Sequence, residues 1–214
     1  MDVRSDQVAH RDLYRILLAT VGPRPIAWVS TLSDGRLNLA PFSFFNVVSA
    51  KPPLLGFSPS LRQVNGRPTP KDTLRNIRET GEFVVNIVTF ATSEAMNLTS
   101  GEYESTINEF EVAKLNTRPS QVVQPPQVAE SPVSFECKLE RIIDFGSEPP
   151  SGSLVIGAIV CVHIEDEVLK EGQLDPNSLD LIGRMGGMQY SRTAERFEMK
   201  RPEVQRPSVP WPGP

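Results

Sequence analysis

Between Ile26 and Ser58, four short runs rich in β-branched and aromatic residues follow one another with only turns between them. Ser33-Asp34-Gly35 turns Ile26–Leu32 into Arg36–Leu39, Pro52-Pro53 stops Phe42–Ala50, and Pro59 closes Leu54–Ser58. Strands joined this tightly pair antiparallel, because a parallel pair needs a crossover of a dozen or more residues.

The rest of the chain keeps that character. Phe83–Phe90 is centred on Val84, Val85, Ile87 and Val88, and Ser134–Phe145 alternates with Phe135, Cys137, Leu139 and Ile142 on one face. Leu154–Ile164 reads as the most buried strand. Helices are short: one around Leu13, Ile16 and Leu17, one over Asp72–Thr80, and two near Thr92–Leu98 and Ile107–Leu115. Asp72 or Thr73 is expected to cap the second, Leu74 and Ile77 to form its buried stripe, and Gly81 to end it. Strands outnumber helices and succeed one another by hairpins. The expectation is a mainly β antiparallel barrel with peripheral helices, not a doubly wound sheet. Residues 1–22 read as an N-terminal arm, 23–200 as one barrel domain and 201–214 as a proline-rich tail. Unpaired edges in so small a barrel favour dimerisation.

Composition excludes several classes. Hydrophobic residues make up 39% and charged residues 22%, a balance that supports a folded core. Twenty prolines mean many loops, since the usual share is about 5%. A net charge of -4 gives no reason to expect a nucleic-acid or membrane partner. Charged residues break up the first fifteen positions, and the longest apolar run, Leu154–Val162, falls well short of the roughly twenty residues of a membrane span, so a cytoplasmic protein is expected. Cys137 and Cys161 lie singly within strand-like runs and read as buried reduced thiols. Asn97-Leu98-Thr99 carries no weight as a glycosylation acceptor without a secretory signal.

Familiar catalytic signatures are missing. There is no Gly-x-Gly-x-x-Gly fingerprint and no Gly-x-x-x-x-Gly-Lys-Ser/Thr loop. His10 and His163 are the only histidines, too few for a zinc hydrolase and poorly placed for a Ser-His-Asp triad. A chain with so few acid–base groups fits an enzyme whose cofactor does the hard chemistry.

Three segments suit a ligand with a flat ring at one end and a phosphate at the other. Basic residues cluster at Arg62, Arg67, Lys71, Arg75 and Arg78. Within that cluster Lys71-Asp72-Thr73 opens a helix, whose first turn offers N–H donors and a positive dipole end to an anion; an ordinary helix start with a solvated lysine reads equally from the same residues. Arg24, between Pro23 and Pro25, offers a second cation. In Phe42-Ser43-Phe44-Phe45-Asn46, strand geometry sends Ser43 and Phe45 one way and Phe42, Phe44 and Asn46 the other, as a pocket ladder or as core packing. Gly183-Arg184-Met185-Gly186-Gly187-Met188-Gln189-Tyr190 is a turn whose tyrosine either covers a planar ligand or anchors a surface loop.

Taken together, Arg24-Pro25-Ile26-Ala27-Trp28-Val29-Ser30-Thr31, Asn38-Leu39-Ala40-Pro41-Phe42-Ser43-Phe44-Phe45-Asn46, Pro52-Pro53, Lys71-Asp72-Thr73 with Asn76, and Gly81-Glu82-Phe83-Val84-Val85-Asn86 resemble the flavin reductase-like family of FMN-binding split barrels. The order and spacing of these blocks agree over roughly residues 12–195. The resemblance implies a six-stranded antiparallel Greek-key split barrel that forms a homodimer, with one FMN per subunit near the interface. It implies that Ser30, Thr31 and the strand Ala40, Pro41, Phe42, Ser43, Phe45 and Asn46 line the flavin. Lys71 and Thr73, with Arg24, would serve its phosphate end, and Asn76 and Tyr190 would belong to the cofactor site. It further implies an NAD(P)H-dependent flavin oxidoreductase, with NADH or NADPH giving hydride to flavin N5 and an oxygenase or other acceptor downstream. No side chain is required to take a proton in that step. The Gly-Asp-His element carried by many two-component reductases is absent. A tight FMN-binding electron carrier or sensor is the rival reading.

Overall fold

The computed structural model describes residues 2–203; of the expected tail, 204–214 lie outside the described residues. Seven strands form one sheet: β1 (Ala27–Ser33), β2 (Arg36–Phe42), β3 (Phe45–Ala50), β4 (Pro53–Phe57), β5 (Glu82–Ile87), β6 (Val133–Asp144) and β7 (Ser153–Ile164). They lie in the order β2-β1-β5-β6-β7-β4-β3, every neighbouring pair antiparallel.

The count differs by one from the expected six because β2 and β3 are two halves of one bent run. Ser43 and Phe44 interrupt the ladder between them, and the two halves occupy opposite ends of the sheet order. Taken as one bent strand, β2/β3 closes six strands into a ring. The order β5-β1-β2/β3-β4 is then a Greek key, in which β5 returns beside β1 after the long connection from β4. The bend also corrects the simple alternation expected over Phe42–Asn46. Phe42 is buried in the core and Phe45 packs against that core from the next half, while Phe44 is exposed. A straight strand would send Phe42 and Phe45 to opposite faces.

Two clusters of buried side chains sit on the two faces of β1. Ala27 and Val29 point into the barrel with Phe42, Leu55, Phe57, Phe83 and Val155. Trp28 points outward with Leu39, Met96 and Phe110, its indole N–H donating to Thr99 Oγ1 at 2.8 Å. Phe57 links the interior rings, 5.1 Å from Phe42 and 5.6 Å from Phe83 by centroid. Burying side chains of this size contributes about 1.5–3 kcal/mol each.

Helix α1 (His10–Thr20) precedes the barrel and buries none of its residues. Helix α2 (Asp72–Thr80) plugs the barrel with Leu74 and Ile77, both fully buried, and ends at Gly81 in the left-handed conformation at φ 70°. Its start corrects the capping expectation. Lys71 occupies the N-cap and no side chain caps the helix. Asp72 is engaged by Arg62 and Arg75 at 3.2 and 2.6 Å, and the Thr73 hydroxyl turns to Asn38. Helix α3 (Ser93–Leu98) packs outside the barrel through Met96. A late hairpin, β8 (Ile182–Arg184) and β9 (Tyr190–Arg192), carries the glycine-rich turn. Among the described residues no helix is long and apolar enough to cross a membrane.

Candidate functional site

The bend at Ser43–Phe44 opens one wall of a cavity of about 840 Å3. That volume falls in the usual range for small-molecule sites, about 300–1,000 Å3. Of the residues expected at a flavin, Arg24, Pro41, Phe42, Ser43, Lys71 and Tyr190 line it. A smaller polar recess adjoins at Pro41 and Lys71 and adds Ala40 and Thr73. The loop before α2 thus places the Lys71 amine between the two spaces, 6.0 Å from the centroid of the Phe42 ring.

Lys71 is the electrostatic centre of this arrangement. Three of its basic neighbours are taken: Arg62 and Arg75 pair with Asp72, and Arg78 pairs with Asp144. Among the described residues Lys71 has no carboxylate within ion-pair distance. Burial pushes its amine below the ordinary lysine value; the more distant charge of Glu102 opposes this and that of Arg62 adds to it. A half-buried cation without a partner is a position that an anionic ligand would stabilise. Ser43, Ser58 and Ser60 also line the cavity and, among the described residues, their hydroxyls make no hydrogen bond.

Thr73 and Asn76 are held by a polar tie between α2 and the barrel. Asn38 Nδ2 donates to Thr73 Oγ1 at 2.9 Å, and Asn76 Nδ2 donates to Thr31 Oγ1 at 3.0 Å, all four residues being buried. Each hydroxyl acts there as an acceptor and retains its own proton. For Thr73 that proton is available at the recess beside Lys71. Thr31 and Asn76 lie away from the main cavity, and Asn76 borders a separate cleft of about 260 Å3.

Arg24 and Ser30 are both engaged by the protein itself. The Arg24 guanidinium donates to Leu18 O, Val21 O and Met185 O at 2.9, 2.5 and 2.8 Å, which clamps α1 and the β8–β9 turn against the barrel. Its Nη atoms are taken by carbonyl groups, which leave its charge without a carboxylate partner among the described residues, and its buried Nε has no hydrogen-bond partner there. Ser30 gives its one proton to Pro126 O at 2.5 Å and accepts from Asn86 Nδ2 at 3.3 Å. It faces the outer side of β1 and is fully buried, its one proton already given. Phe45 is half-buried against the core, and exposed Asn46 accepts from the Val47 N–H at 2.8 Å, so this monomer draws neither into the cavity.

Sequence reasoning missed other walls. Tyr14 and Leu17 of α1 line the cavity, and Arg184 lies over the Tyr190 ring at 4.5 Å. Ser58-Pro59-Ser60 held a signal, two hydroxyls flanking the proline that ends β4. A pair across β6 and β7 was also missed. Fully buried Glu136 accepts from the N–H groups of Gln121, Val122 and Val123 at 2.7, 2.7 and 2.9 Å and meets His163 Nε2 at 2.5 Å. Burial raises its pKa, but the backbone donors and His163 outweigh that and hold it below the ordinary value. Cys161 is only half-buried, 3.6 Å from His163, which corrects the expectation of two buried thiols; Cys137 is fully buried.

Comparison with known proteins places the fold in a class. The family profile described as flavin reductase like domain matches residues 21–184. This chain belongs to that family, and it has the family's split-barrel fold. Membership supports flavin binding and oxidoreductase chemistry. The uncharacterized protein YwrF of Bacillus subtilis is 40% identical over 204 residues, covering 93% of this chain and 98% of the relative. Nitrilotriacetate monooxygenase component B from Bacillus cereus superimposes with a TM-score of 0.85 at 35% identity, covering 93% of this chain and 98% of that one. Pseudomonas fluorescens 2-nitrobenzoate 2-nitroreductase NbaA gives 0.81 at 32% identity, covering 98% and 100%.

Proposed function

We propose that the protein binds FMN in the cavity between the β2–β3 bend, α2 and the β8–β9 hairpin, and that it is an NAD(P)H-dependent flavin oxidoreductase. The carrying observation is Lys71, a half-buried amine without an ion-pair partner among the described residues, beside the Phe42 ring in the wall of a cavity that Ser43, Ser58 and Ser60 also line. Lys71 and the Thr73 hydroxyl hold the phosphate, Ser43 and the adjoining backbone of Pro41 and Phe42 bind the flavin edge, and Tyr190 covers a planar group. Bound FMN supplies a two-electron acceptor that takes hydride from a nicotinamide.

The protein's own part is to bind, align and exclude water. Hydride transfer needs two rings held about 3–3.5 Å apart and aligned, with no side-chain base. The described cavity fits that division of labour: Phe42, Phe44, Ile26 and Leu17 give it an apolar wall, and Lys71, Arg24 and Arg184 give it positive charge. A cytoplasmic homodimer belongs to the same proposal. Exposed Val47 and Val48 on β3 and Val160, Val162 and Ile164 on β7 give the barrel apolar edges that a second copy would cover. The likeness to a monooxygenase component supports an oxygenase as acceptor of the electrons.

An absorbance spectrum of the purified protein, followed by anaerobic NADH and then NADPH, tests this. Flavin absorbance that bleaches with either nucleotide is expected. Absorbance that bleaches only with dithionite assigns the protein to electron carriage without nicotinamide oxidation, and a protein that cannot be loaded with FMN removes the proposal.

A further inference from the structure

A second cavity, of about 530 Å3, lies on the other side of α1 and adjoins the first at Tyr14 and Leu18, which line both. Its walls differ in kind. One carries Arg11 and Arg15 on successive turns of α1, and the other is the backbone of the Gly186-Gly187 turn. Gly186 packs the turn tightly on α1, where a Cβ would meet the Ala19 Cα at 3.3 Å, while Gly187, at φ +60°, has open space where a Cβ would stand. Among the described residues Arg11 has no carboxylate partner, and Arg15 has only Asp12 at the limit of contact, 3.5 Å. Arg184 stands at the junction, over the Tyr190 ring and donating to Gly187 O at 2.5 Å.

The two spaces together have the form of a dinucleotide: a ring-lined chamber, a shared apolar neck and a chamber walled by guanidinium groups and glycine backbone. Guanidinium forks match phosphate oxygens, and a glycine turn lets backbone come close to them. We propose that Arg11 and Arg15 bind the phosphates of the adenylate half of the nicotinamide donor, while its nicotinamide enters the flavin cavity past Tyr14 and Leu18. This rests on the donor reading above. It assigns α1, which buries no residue of its own, to holding the donor, with the Arg24 clamp fixing it against the turn.

The test uses the full-length FMN-loaded protein and its Arg11→Ala/Arg15→Ala variant. Both positions are exposed, so the variant is expected to fold and to bind FMN as the parent does. Binding of NADP+ and NAD+ is titrated directly, and reduction by NADPH and NADH is followed in parallel. Loss of charge-assisted contacts should weaken NADP+ binding and raise KM for the donor by about 10–100-fold, with kcat at saturation unchanged. The salt dependence of donor binding should flatten. A KM rise for NADPH alone places the 2′-phosphate at the arginines, and a rise for both donors places the pyrophosphate there; either outcome supports the site. Equal binding of both NADP+ and NAD+ by parent and variant overturns it, as does a parent that binds neither nucleotide. A parent that binds NADP+ through the arginines but is reduced by neither nucleotide refutes the donor reading and leaves the phosphate site standing.

Discussion

The Asn38 side-chain amide donates to the Thr73 hydroxyl at 2.9 Å inside the protein, joining β2 to the first turn of α2. The bond fixes the start of α2 relative to the bent strand, and with it Lys71. Replacing Thr73 by Val leaves the Asn38 amide buried without an acceptor, at a cost of about 1–3 kcal/mol. Urea unfolding should show this loss, and Thr73→Ser should recover most of it. A Thr73→Val variant as stable as the parent would mean that water replaces the bond.

The proposed place of Lys71 at the FMN phosphate would make flavin binding depend on pH. Burial favours its neutral form, so its amine loses its proton below the ordinary lysine value of about 10.4. A phosphate binds the protonated amine; affinity for FMN should therefore be full below that lowered pKa and fall as pH rises through it. Flavin fluorescence titrations from neutral to alkaline pH should show the fall, and Lys71→Arg should flatten it. Lys71→Ala should weaken FMN binding by about 10–100-fold at neutral pH. Unchanged affinity in Lys71→Ala would remove the phosphate assignment.

Glu136 holds the loop of residues 119–126 through three backbone N–H groups, with His163 as a fourth partner. Its carboxyl pKa is depressed in the folded state. The stability it contributes is therefore complete above the unfolded value of about 4.3 and lost as pH falls through the folded value. Glu136→Gln turns an amide donor toward at least one of those N–H groups, costing about 1–3 kcal/mol. Comparing urea midpoints at neutral and acid pH should show a smaller acid loss in the variant. Parallel pH profiles would contradict this account.

The two cysteines should react at very different rates. Burial, with the charge of Glu136 adding to it, pushes the Cys137 thiol up to about 12, whereas Cys161 is partly open to solvent. A thiol reagent at neutral pH is expected to titrate one group in the native protein and two after denaturation. Mass spectrometry should locate the native adduct on Cys161. Labelling of Cys137 at a comparable rate would show that the barrel opens readily.

Much of the fold was legible in the residues because its contacts are local or periodic. Ser33-Asp34-Gly35 marked the β1–β2 hairpin, and the structure places Asp34 and Gly35 at φ 50° and 72°, the left-handed values such a turn demands. Leu74, Ile77 and Gly81 marked the stripe and end of α2 for similar reasons. Phe42–Asn46 was legible only in part. Alternation along a strand assumes a straight run, and the bend at Ser43–Phe44 arises because the two halves pair with different strands, β1 and β4, toward opposite ends of the sheet order.

The sequence by itself determined the class of fold and the chemical character of the site: short antiparallel strands, aromatic residues with small hydroxyls, and a lysine at the start of a helix. Turn chemistry and side-chain periodicity act over a few residues, so they can be read along the chain. Only the tertiary structure decided which of those groups remain free for a ligand. Arg24 is engaged by carbonyls of Leu18, Val21 and Met185, Ser30 by Pro126, and Asp72 by Arg62 and Arg75, while Lys71 is left unpaired. A polar group's availability depends on every donor and acceptor that folding brings within about 3 Å, and partners such as Met185 and Pro126 are remote in sequence.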